Sequence, residues 1–382
     1  MAEEFIAFKC DIREEDYLTV FPDENGQDEP DETYGLVRSE AEWIRLRSQL
    51  PPEHGPDLGT IRRFERNVFT NGKLEMPDGE EIDHWGFDDG DSDNRTLPSL
   101  PIRVAGGDLV QVTLKASSRQ HTIHHHGIEP DMDNDGVGHT SFETTSEYTY
   151  QWRAHPANAG TYFYHCHVNT TLHVQMGMFG ALIIDPPGTD LDTPVSRQNP
   201  KKSLTDAPDE FAYHREAIWA LYAVDPVWHE LNHAAGMCGE DAGLHSFNPE
   251  YFLINKSAQA PGGPPIDAPD VAIEAELGET VLLRLISATY FPVEVDFGLL
   301  NPLVIESDGR ALRDTVDLSG LGRRGQFATA RWSEVDQRLA PAERYGMLIK
   351  PDARGTYPVE ARFRHWITGE IVGIARTTVT IV

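Results

Sequence analysis

The chain has 382 residues, and its 32 Lys and Arg against 62 Asp and Glu give a formal net charge of −30. Such acidity argues against nucleic acid or anionic membranes as partners; it suits a soluble or salt-adapted surface, or more sharply a field that draws in cationic substrates or reduced metal ions. Apolar content of 39% with 26 Pro and 32 Gly is that of a turn-rich globular protein, of roughly two to three domains, and no run approaches the roughly 18 apolar residues of a membrane span.

Residues 1–62 read as an acidic N-terminal extension that packs on the next domain, with Glu14 to Asp16, Asp23-Glu24 and Asp28 to Glu32. A helix is expected from Ser39 to Leu50, carrying Trp43, Ile44 and Leu46. The start, Met1 to Ala7, has no basic stretch followed by an apolar core. This favours a cytoplasmic protein, or an exported one whose leader was removed. Of the three cysteines, Cys10 and Cys238 could pair, although two separate reduced thiols fit their separation better.

From Phe64 the pattern turns to strands: Val68 to Gly72, Ile82 to Phe87, and a strand–turn–strand over Pro101 to Val112. Further strands are expected at Glu147 to Arg153, Gly160 to His167 and Phe179 to Ile184. Short strands at this spacing imply an all-β sandwich over residues 63–187.

Inside that domain lie His121-Thr122-Ile123-His124-His125-His126-Gly127 and His165-Cys166-His167, followed by His173, Met176 and Met178. A thiolate, two imidazoles and a weak thioether are the donors of a blue-copper site, because the soft sulfur suits Cu(I) and imidazole suits both oxidation states. Cys166, His121 and His173 would be its strong donors, with Met176 or Met178 axial. Residues i and i+2 of a strand share a face. His124 with His126, and His165 with His167, therefore form a second constellation, with Cys166 facing the opposite way. His125, His84 and His155, like His139, read as packing or surface histidines.

These motifs resemble the His-Pro-x-His-x-His-Gly and His-Cys-His signatures of the multicopper oxidases, the laccase-like proteins. The resemblance implies type 1 copper at His121, Cys166, His173 and Met178. It also implies type 2 and type 3 copper among His124, His126, His165 and His167, a short path through Cys166, and oxygen as acceptor. The gap from Cys166 to His173 is longer than usual for the family. Copper nitrite reductases also lengthen that loop, but they lack the second histidine after the cysteine and carry aspartate where this chain has His124.

Asp131 to Gly136 begins like a calcium loop, but Phe142 falls where the closing carboxylate belongs. Asp135-Gly136-Val137 is better read as a loop beside the histidines. Residues 188–245 read as a connector. Within it His229 and His233, at i and i+4, would share a face if helical and with Met237 and Cys238 could bind a metal, although a connector with ordinary side-chain hydrogen bonds is the better reading. A second domain spans 246–382. Tyr251 to Lys256, Leu277 to Ala288, Val304 to Gly309 and Leu339 to Tyr345 resemble a copper-free cupredoxin domain. His365 within it, and His245 at its edge, stand alone.

The expected architecture is thus all-β: two cupredoxin-like Greek-key sandwiches with an N-terminal extension. The expected function is a copper-dependent oxidoreductase taking electrons from a small-molecule or metal-ion reductant. Only half the histidines of a three-copper centre are present. A homo-oligomer could complete it, or a second subunit, or the half-set could leave a non-catalytic type 1 electron-transfer or copper-binding protein. A nitrite reductase-like trimer is the remaining alternative.

Overall fold

The structure, a computed structural model, describes residues 36–48, 59–128, 130–138, 140–313 and 327–382. The acidic clusters before residue 36, Cys10, Leu50 and His139 lie outside them. Among the described residues no helix is long and apolar enough to cross a membrane.

Two sheets form the first sandwich. One orders β2 (Glu81–Asp88), β1 (Ile61–Glu75), β4 (Leu109–Lys115) and β6 (Glu147–Arg153); the other orders β3 (Ser99–Ala105), β8 (Phe179–Asp185), β7 (Gly160–His165) and β5 (His124–His126). The sequence of β6 alternates polar and apolar, and its Tyr148, Tyr150 and Trp152 turn inward to meet Tyr162, Tyr164 and Leu182 from the facing sheet. By contrast β7 and β8 are buried along their whole length. Their second face does not meet water: Phe163, Phe179, Ala181 and Ile183 pack on Ala220, Tyr222, Leu253 and Ile286 of the second half.

That second half is another sandwich, of an eight-stranded and a five-stranded sheet, around Leu221, Leu283, Val295, Met347 and Phe363. Strand Arg215–Val224, within the stretch read as a connector, pairs in parallel with Val281–Ser287 and so belongs to the larger sheet. Its apolar run is the signature of a strand covered on both faces. Residues 228–247 do connect, and Trp228, Ala235 and Leu231 lie against the first core.

A buried charge cluster fixes the joint. Arg284, fully buried, reaches Glu216 at 2.8 Å and the Thr161 hydroxyl at 2.8 Å, while Arg103 donates to Asp185 at 2.6 and 2.9 Å. Burial would raise the Glu216 carboxyl, but Arg284 and Arg103 overcome it and hold it at about 2.

Among the described residues the helix α1 (Glu40–Arg47) is shorter than its sequence suggests. The Ser39 hydroxyl caps it by accepting from the Glu42 amide at 3.2 Å. Its Trp43 is buried with Val37, Ile61 and Leu109, whereas Ile44 faces solvent. Residue 37 is tied to the first sheet in both directions: its amide donates to Gln151 at 2.9 Å, and its carbonyl accepts from Gln111 at 2.7 Å.

Candidate metal centre

β5 and β7 are antiparallel, with His124 opposite His165 and His126 opposite Phe163. The facing residues therefore share a side. Tyr162, Tyr164 and Cys166 point into the first core, while Phe163 and His165 point to the seam between the sandwiches. The alternation expected from the sequence holds through Cys166, although the strand itself ends at His165.

On the core side, Cys166 Sγ lies 3.3 Å from His173 Nδ1 and 3.6 Å from His121 Nδ1, and all three residues are wholly buried. The loop that carries His173 contains a short helix, α2 (Thr170–Gln175). The longer gap after Cys166 is taken up by that helix. Asn169 starts it in the left-handed region, and Gly177, at φ +106°, lets the chain turn straight into β8. Met178 is tied to two of the three strong donors through the backbone: Cys166 N–H donates to its carbonyl at 3.0 Å, and its N–H donates to the His173 carbonyl at 3.0 Å. Met176, also buried, is bonded instead to Leu172 and Trp85.

On the seam side, His124, His126 and His165 bring ring nitrogens within 4.8 Å of one another. His167 joins them, its ring 5.4 Å from His124 and 5.8 Å from His165. The cluster faces a cleft of ≈ 270 Å³. The second sandwich lines it with Ser287, Thr289, Tyr290 and Ala342, and among the described residues it brings no histidine there. His365 instead packs on Phe291, and His245 is exposed beside Asp241.

The donor set fits a metal. His124 Nδ1 donates to the Asp135 carbonyl at 2.8 Å, and His165 Nδ1 donates to the Cys166 carbonyl at 2.9 Å. Each leaves Nε2 as the acceptor nitrogen, the usual arrangement behind a metal-binding imidazole, and His165 Nε2 meets His126 Nδ1 at 3.3 Å. Burial pushes His126 and His173 down to about 3 and holds His121 and His165 well below the ordinary range, so all four imidazoles are neutral near pH 7. Burial pushes the Cys166 thiol up to about 12, so metal binding there must displace its proton.

Asp131 to Gly136 forms the one-turn helix Met132–Asp135, where Asn134 bonds Asp131 and the Gln151 amide. It buttresses His124. His125 is wholly buried against Tyr150 and Trp152, and His155 accepts from the Ala157 amide. His84 is buried too.

His229 and His233 do not share a helical face. His229 is the middle residue of the 3-10 turn Trp228–Glu230 and bonds Asp83 and Gln175. His233 lies over the thiolate site, its ring centroid 4.9 Å from that of His121 and 4.5 Å from that of His173. Sequence reasoning assigned it no part there; the i, i+4 pair was the available signal. Cys238 is disulfide-bonded, which corrects the expectation of two separate reduced thiols.

The multicopper oxidase family model matches residues 88–189, which hold both clusters. The chain is 30% identical over 231 residues to laccase-1 of Emericella nidulans, covering 58% of this chain and 32% of that protein. It is 34% identical over 134 residues to copper resistance protein A of Escherichia coli, 34% of this chain and 18% of that one. It therefore spans about a third or less of these relatives. A crystal structure of a blue copper oxidase from Nitrosomonas europaea superposes with a TM-score of 0.56 at 23% identity, covering 84% of this chain and 86% of that one.

Paired sandwiches of this kind place the protein among the cupredoxin-fold proteins. Within that class the chain is similar to the laccase-like multicopper oxidases, whose family model matches the stretch 88–189.

Proposed function

We propose that the chain is a copper-dependent oxidoreductase, with type 1 copper held by His121, Cys166, His173 and Met178. His124, His126, His165 and His167 would hold the type 2 or type 3 copper. Bound copper would supply one-electron chemistry, accepting electrons from a small-molecule or metal-ion reductant at the thiolate and passing them to oxygen at the imidazole cluster. The observation that carries this reading is the opposed aim of two neighbours: Cys166 Sγ between two Nδ1 atoms, and His165 in the seam cluster. The hydrogen bond from His165 Nδ1–H to the Cys166 carbonyl adds a second link between the sites. Met178 is preferred to Met176 as the axial donor because its backbone is bonded to both Cys166 and His173.

One feature favours a second reading. Among the described residues the seam cluster draws its imidazoles from the first sandwich alone, so a complete oxygen-reducing centre calls for a second copy or another subunit. Without one, the chain would be a type 1 electron-transfer protein. The copper-loaded protein is expected to be intensely coloured, to hold more than one copper per chain and to consume oxygen with hydroquinone. Cys166→Ser should abolish the colour. A colourless loaded protein overturns the proposal; colour with about one copper per chain and no oxygen uptake selects the electron-transfer reading.

A further inference from the structure

Resting on that reading, the hydrogen bonds around His233 concern how electrons arrive. His173 turns Nδ1 to the sulfur and its opposite edge, Nε2, to the His233 carbonyl at 3.2 Å. That carbonyl also accepts from Asn169 Nδ2 at 3.2 Å, and the same amide donates to the Ala235 carbonyl at 3.0 Å. On the other side His233 Nε2–H donates to the Gln120 carbonyl at 2.9 Å, next to His121. The ring lies nearly parallel to Trp85, with centroids 6.2 Å apart and planes at 21°. Clamped at three points and 6% exposed, His233 closes the outer edge of both imidazoles, each 0% exposed.

We propose that His233 is a positioning residue that roofs the thiolate site and decides which reductants the protein accepts. No donor molecule touches His173. An electron enters across the hydrogen bond between the His233 carbonyl and His173 Nε2–H, so the site selects donors able to transfer one electron without contact. The donor is oxidised by one electron and the metal at Cys166 is reduced by one; a hydroquinone donor releases its proton to solvent. The connector thereby acts as a selectivity filter.

The test is anaerobic stopped-flow bleaching of the visible band of the copper-loaded full chain, with hexaammineruthenium(II) as a donor that needs no contact and hydroquinone as one that gains from it. In His233→Ala the rate ratio of hydroquinone to hexaammineruthenium(II) should rise by about tenfold, and in His233→Gln, which keeps an N–H for the Gln120 carbonyl, it should stay within about twofold of wild type. Asn169→Ala, which loosens the clamp but spares the ring, should raise the ratio less; it decides the matter if His233→Ala does not fold. An unchanged ratio in a folded variant that keeps its band overturns the roof. A wild-type protein with no band overturns the copper assignment instead, so the two failures are distinguishable.

Discussion

At the scale of single residues, function is separated from packing by what each ring nitrogen can reach. His84 marks the packing extreme. It is buried, and its ring fills the space that a Cβ at Gly72 would need. Burial first, and the charge of His229 second, push it from 6.5 down to about 4. The unfolded chain therefore binds a proton between these values that the folded chain refuses. Its contribution is intact above pH 6.5 and is lost as pH falls towards 4. His84→Phe should leave the urea midpoint at pH 8 little changed but gain up to about 3 kcal/mol over wild type near pH 4. Equal acid sensitivity in both proteins would refute this. His121, Cys166 and His165 were legible because their donor chemistry is unusual and their spacing regular. His233 was not, since a histidine in a connector carries no sign of which surface it will cover.

At the scale of elements, the site depends on a few turns that only certain residues make. Gly136 sits at φ +70°, and a Cβ there would lie 2.0 Å from the Ile123 carbonyl oxygen. The preceding residue, Asp135, holds His124 through its carbonyl. Gly136→Ala should cost about 1–2 kcal/mol for the left-handed backbone and more for the clash. By displacing the carbonyl behind His124 it should weaken metal at the seam cluster about 10–100-fold and leave the visible band of the Cys166 site in place. Electron paramagnetic resonance with metal titration separates the two effects; parallel loss of both sites would contradict it. Alternation along Glu147–Arg153 and Gly160–His165 was readable directly, because side chains on a strand have a fixed period. The helix under His173 was not. Its six residues are held by Asn169, Gly177 and a buried environment and carry little helical pattern of their own.

For the whole molecule, the paired sandwiches could be read from strand spacing and from the resemblance of the second half. The length of the linker could not. Arg215–Val224 is apolar enough for either sandwich, and only its parallel pairing with Val281–Ser287 assigns it to the second. How the halves face each other depends on Arg284, Glu216, Arg103 and Asp185, residues far apart in sequence that meet at the joint. No local pattern announces such a meeting.

Because Phe163 and Ile183 share a cluster with Tyr222 and Ile286, and Trp228 and Ala235 of the connector sit in the first core, neither half can melt without stripping cover from the other. The protein should therefore melt once, as one cooperative block. Calorimetry is expected to give one endotherm with a van't Hoff to calorimetric enthalpy ratio of about 1, whereas independent halves would give two steps.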